Sequence, residues 1–172
     1  MINTKHLVVI ALYVAIASVL HIIESWIPLP LPIPGAKLGL ANIVSLLVIA
    51  TYGWRDALYV AILRVLLGSL LGGTLLGPTF IMSMSGALVS TVLMAAVFKY
   101  WQPTLSLTGI SLLGAVAHNL AQLVAAAGLV NSPGILWYLP YLILFAIPTG
   151  VATGITANYF LDRLAKTGFS HQ

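Results

Sequence analysis

Arg64 is the ninth residue of an apolar stretch running from 56 to 72, in a chain with ten formally charged side chains among 172 residues. A guanidinium near the middle of a bilayer costs on the order of 2.5–3.5 kcal/mol even on insertion scales. It persists there when it faces a protein interior with a partner, or a water-filled site. Its planar fork of donors suits a carboxylate or a phosphate. Other polar side chains recur at comparable depth on neighbouring stretches. His21 and Glu24 are i,i+3 neighbours, Lys37 precedes Asn42 and Ser45, Ser83 and Ser90 flank Gly86, and His118 and Gln122 are i,i+4 with Asn119 beside them. Two cations, a carboxylate, two histidines and three amides exceed what holding a small bundle together requires. Glu24, Lys37, Asn42, Arg64, His118, Asn119 and Gln122 are therefore the candidate solute contacts. The surplus of cations over Glu24 favours an anionic or strongly polar ligand.

Each residue also has a structural reading. Glu24 would pair with Arg64 or Lys37, and Lys37 would snorkel to the interface. The amides would join helices, at about 0.6 kcal/mol each. A histidine in a bundle would be satisfied by its neighbours. Trp26, Trp137, Tyr138 and Tyr141 fit either an aromatic belt at the outer interface or a stacking surface for a ring-bearing solute.

The elements that must position these residues are helices in lipid. Mean hydropathy is +1.08, and 6% of residues are charged, values that a water-soluble domain of 18.2 kDa could hardly sustain. Six apolar stretches run roughly 6–27, 37–53, 56–72, 79–99, 105–130 and 135–163. Only helices and closed barrels satisfy their backbone in hydrocarbon, and the alternation of barrel strands is missing. The expectation is one integral membrane domain over 1–172, an all-α bundle of six spans with no cleavable leader. Six spans return both termini to one side. Placing that side in the cytoplasm puts Lys5, Arg55, Lys99, Arg163 and Lys166 inside, with Lys37 near the outer face.

Between the first two stretches, Pro28, Pro30, Pro32 and Pro34 alternate with apolar residues, which forbids helix and leaves either a lid or an interfacial connector. Gly68 and Gly72, and Gly150 and Gly154, have the small-xxx-small spacing of close helix packing. Ala11 and Ala15, with Ser18 on the same face, form a similar strip for a docking helix within the fold or from a partner.

Several functions are excluded or disfavoured. No phosphate-binding Gly-x-x-x-x-Gly-Lys-Ser/Thr loop occurs, so the chain is no P-loop ATPase. Asp56 and Asp162 are the only aspartates and stand apart, so magnesium-assisted prenyl transfer by this chain alone is not expected. Without cysteine there are no disulfides or thiolate metal sites. No basic cluster with interleaved aromatics suggests nucleic acid. Neither catalysis nor a bound cofactor or metal is expected.

The runs Lys37-Leu38-Gly39-Leu40-Ala41-Asn42, Leu63-Arg64-Val65-Leu66-Leu67-Gly68-Ser69, Ser85-Gly86-Ala87 and Ala117-His118-Asn119-Leu120-Ala121-Gln122 resemble the bacterial Gx transporter family, also catalogued as heptaprenyl diphosphate synthase component I. The resemblance spans about 10–160. That family is in turn similar to the S components of energy-coupling factor (ECF) transporters, which have six helices and bind solute toward the outer face. It implies a multi-pass protein of the bacterial cell membrane, surrounded by lipid. It also implies Ala11 and Ala15 as contacts to a transmembrane coupling subunit, Pro28–Ala36 as a gating loop, and separate ATPase subunits as the motor. The catalogued synthase name implies the alternative: a membrane subunit anchoring or assisting an isoprenoid, quinone or redox enzyme.

Overall fold

The structure, a computed structural model, describes residues 4–27, 37–102 and 104–166; the proline-rich segment Pro28–Ala36 lies outside them. The described chain forms six helices: α1 Thr4–Ser25, α2 Asn42–Thr51, α3 Trp54–Leu71, α4 Pro78–Trp101, α5 Leu107–Val130 and α6 Leu139–Lys166. A 3-10 turn at Pro133–Tyr138 leads into the last. Each helix matches one apolar stretch, and no strand occurs among the described residues.

The ends follow local chemistry. Pro78 opens α4 where its missing N–H is not needed. Ser106 Oγ accepts from the Gly109 amide to cap α5, and Asn131 closes that helix in the left-handed region at φ 52°. Four segments are long and apolar enough to cross a membrane: α1, α4, α5, and α6 with its preceding turn. The other two stretches differ from the six-span expectation in a specific way. α2 has 10 residues, about 15 Å at 1.5 Å per residue, against a hydrocarbon core of about 30 Å. α3 has 18 residues but includes Arg55, Asp56 and Arg64. α2 is enclosed by its neighbours, with seven of its ten residues buried, whereas α3 turns Tyr59, Leu63, Leu67, Leu70 and Leu71 outward.

The core sits between α2 and its neighbours. Val44, Leu46, Val48, Val60, Met94 and Ile110 are almost fully buried and interlock there. α5 lies between α4 and α6, the two most extensive helix contacts in the molecule, whereas α1 packs on α3 and, more lightly, on α2. The α5–α6 seam explains the glycine spacing. A Cβ on Gly150 would stand 2.8 Å from Leu112 Cα, and one on Gly154 would stand 2.5 Å from Thr108 Cα. The backbones therefore touch, as small residues permit in lipid. Ser111 and Thr153 share a hydroxyl hydrogen bond of 2.6 Å, and Asn158 Nδ2 donates to Thr108 Oγ1 at 3.1 Å along the same seam.

At the end carrying the amino terminus of α1, His6 Nε2 lies 3.2 Å from Asp56 Oδ1, and the His6 and Tyr13 rings meet Tyr52 edge-on. This ties α1 to the turn between α2 and α3. Ala11 and Ala15 are exposed and contribute nothing to the internal packing of α1, whereas Ser18 turns inward and donates to the Val14 carbonyl at 2.8 Å. Leu12, Ile16 and Val19, each more than half exposed, share the outward surface with the two alanines.

Candidate functional site

The polar residues converge at the opposite end of α2, where Lys37–Ala41 enters the bundle as extended chain and turn. Lys37 does not snorkel. It is 4% exposed and turned inward, with Nζ 2.6 Å from His21 Nε2 and 3.4 Å from the His21 carbonyl. An ammonium has only donors, so His21 Nε2 accepts and the ring proton sits on Nδ1.

Gln122 holds the backbone of the same lysine at two points. The Lys37 amide donates to Oε1 at 3.0 Å, and Nε2 donates to the Lys37 carbonyl at 3.1 Å. Two residues on, the Glu24 carboxylate accepts from the Gly39 and Leu40 amides. Three side chains from α1 and α5 thus fasten Lys37–Leu40 across the bundle as a strap. Gly39 is at φ 84°, where a side chain is disfavoured, and its Cβ would lie 2.8 Å from Asn42 Nδ2 and 3.3 Å from the His118 ring. The glycine therefore permits both the turn and the close approach.

Beneath the strap lies Arg64, 1% exposed. It does not pair with Glu24: no carboxylate among the described residues lies within ion-pair reach of it. Nη2 donates to Asn42 Oδ1 at 2.8 Å, and Nε has no partner. Asn42 Oδ1 also accepts from Ser90 Oγ at 3.3 Å, leaving Asn42 Nδ2 without a partner. His118 packs on α4 at Gly86, where a Cβ would be 2.9 Å from the ring; the ring interacts with the Gly86 backbone, although neither nitrogen makes a hydrogen bond of good geometry. His21 packs in the same way on Gly68, which thereby serves α1.

The hydroxyls of Ser45, Ser69, Ser83 and Thr91 are also buried without partners. Native interiors leave few such groups, each costing about 1–3 kcal/mol. Of the nine such atoms among the described residues, four belong to Asn42, Arg64 and His118 beneath the strap. Most of the unpartnered groups can donate: the Arg64 Nε–H, the Asn42 amide and the hydroxyls.

The sequence-predicted residues thus separate into three groups. Arg64, Asn42 and Ser90 form one hydrogen-bonded set, bordered by His118 across Gly39. Glu24, Lys37, His21 and Gln122 hold the strap. Asn119 turns toward α6, where Nδ2 donates to the Leu142 carbonyl at 3.0 Å, and joins helices. Ser69 and Thr91 escaped the sequence reading because hydroxyls at single helical positions carry no pattern. Trp26, Trp137 and Tyr141 are 75, 83 and 59% exposed, the placement of an interfacial belt. Among the described residues no three His, Asp or Glu side chains gather closely enough to hold a metal.

An all-helical fold with four membrane-length apolar segments and a buried, donor-rich polar centre defines a membrane protein whose polar residues are gathered inside. A family model described as heptaprenyl diphosphate synthase component I matches residues 13–160, and the chain belongs to that family. Neither the curated proteins nor the solved structures yield a match to it.

Proposed function

We propose that this chain is the solute-binding membrane subunit of a transporter of ECF S-component type, with six membrane-embedded helices and both termini in the cytoplasm. It captures a small solute bearing a carboxylate or comparable acceptor group, and separate coupling and ATPase subunits drive its uptake across the bacterial cell membrane. The observation that carries this reading is the fully buried Arg64, whose one hydrogen-bond partner is a neutral amide oxygen and whose Nε, like the Nδ2 of that same amide, has no partner. Glu24 acts on this charge only from beyond ion-pair distance, and a buried charge without a contacting partner is costly unless a ligand completes it. Arg64 and Asn42 bind the anionic group, His118 reads a polar edge, and the Lys37–Leu40 strap closes above. Ala11 and Ala15, outward on α1, dock the coupling subunit. The chain itself performs no catalysis.

Native mass spectrometry of the gently purified protein tests this. A stoichiometric small-molecule adduct is expected in the wild type and lost in Arg64→Ala at unchanged yield of folded protein. An adduct retained by the folded variant would sink the assignment.

The family description favours a second reading, a membrane subunit that anchors or assists an isoprenoid-synthesising enzyme. It predicts co-purification with a soluble prenyl-transferring enzyme and no saturable water-soluble ligand.

A further inference from the structure

The end of the bundle away from the strap carries a cavity of about 720 Å³. That volume falls within the range of roughly 300–1,000 Å³ typical of sites that bury a small molecule. Its walls are Ile49 of α2, Leu58 of α3 and Val92, Ala95, Ala96 and Phe98 of α4. Gly53 and the two alanines leave the space that larger side chains would fill. At the rim the chemistry changes: Lys99 and Gln102 line it, between Trp54 and Tyr100. Lys99 Nζ sits 5.2 Å from the Tyr100 ring centroid, and the Arg55 guanidinium lies 5.4 Å over Trp54. Among the described residues no carboxylate lines the cavity. Trp54 and Tyr100, which line it, are more than half exposed, as aromatic residues are at a membrane interface.

We propose that this groove is a site for an anionic phospholipid, with one acyl chain along the α4 wall and the headgroup phosphate on Lys99. The parts are ordered as in such a lipid: an apolar channel, an aromatic collar, then a cation. The same end of the bundle also bears Arg55, Arg163 and Lys166 beside Asp56 and Asp162, and of these charges Lys99 is the one that lines the cavity. The site is independent of the buried polar centre and does not rest on the transport reading.

The test is native mass spectrometry of the full chain released from nanodiscs of equal phosphatidylglycerol and phosphatidylcholine. Phosphatidylglycerol is expected to remain bound in roughly fivefold excess, the factor one cation contributes beside an anionic headgroup. Lys99→Gln should bring the ratio to near parity, Ala96→Trp should displace both lipids, and Arg64→Ala should change neither. Equal retention by the wild type overturns the proposal. So does an excess that survives Lys99→Gln, or lipid retention that survives Ala96→Trp in a folded protein.

Discussion

The Gln122 carboxamide spans the Lys37 peptide unit, accepting from its amide at 3.0 Å and donating to its carbonyl at 3.1 Å. A side chain on α5 thereby supplies to an extended segment the pairing a neighbouring strand would supply. The segment so held is the one Glu24 grips from α1, and it covers Arg64 and Asn42. Opening the centre requires these bonds to break together, which makes the strap the moving part in the proposed capture of solute.

Gln122→Leu keeps the volume and removes both bonds, each worth roughly 0.5–1.5 kcal/mol. Hydrogen exchange at the Gly39 and Leu40 amides should accelerate by about tenfold or more, with helix amides of α4 and α5 unaffected. Unchanged exchange at the strap would show that Gln122 does not hold it.

Arg64→Met separates stability from function. Because no carboxylate among the described residues contacts Arg64, and Glu24 acts on it only at longer range, an apolar replacement should stabilise the empty protein, as replacing whole buried ion pairs can do by roughly 1–4 kcal/mol. Thermal unfolding in detergent should shift upward while solute retention is lost. A large drop in Tm would instead mark Arg64 as a structural residue.

Gly86→Ala places a methyl 2.9 Å from the His118 ring and 3.0 Å from Gln122 Cγ. Overpacking of this kind costs typically about 1–3 kcal/mol. Adding His118→Ala should recover much of the loss, a coupling that a double-mutant cycle on Tm would read. Additive losses would mean that the two residues do not press on each other.

Gly154→Leu meets the α5 backbone at Thr108, which cannot yield, whereas Gly128→Leu meets nothing within 4 Å. The first should abolish the monodisperse peak in size-exclusion chromatography and the second should leave it intact. Equal behaviour would remove the backbone contact as the cause.

Ala11→Trp and Ala15→Trp project from exposed positions of α1. Both should fold with unchanged Tm and retain solute, yet lose co-purification with a coupling subunit. A folding defect would place the pair in the bundle's own packing.

Composition and hydropathy alone determined that this chain forms apolar helices, four segments of them long enough to cross a membrane, and, apart from the start of α2, where those helices begin and end to within about four residues. Transfer from water to hydrocarbon dominates those outcomes, and it depends on residue type averaged over a helix, which a single sequence displays. The glycine spacing at 150 and 154 was legible for the same reason, since backbone approach needs only the absence of a side chain. The tertiary structure decided who partners whom. The stretch 37–53 read as one span, yet its first five residues became a strap because Glu24 and Gln122, distant in sequence, satisfy its backbone. Lys37 turned inward to His21, Asn119 turned toward α6 although it adjoins His118, and Arg64 was left without a carboxylate. Hydrogen bonds are settled by differences of a few tenths of an ångström and a few tens of degrees between helices. Those are properties of the packed bundle, and no local pattern of residues carries them.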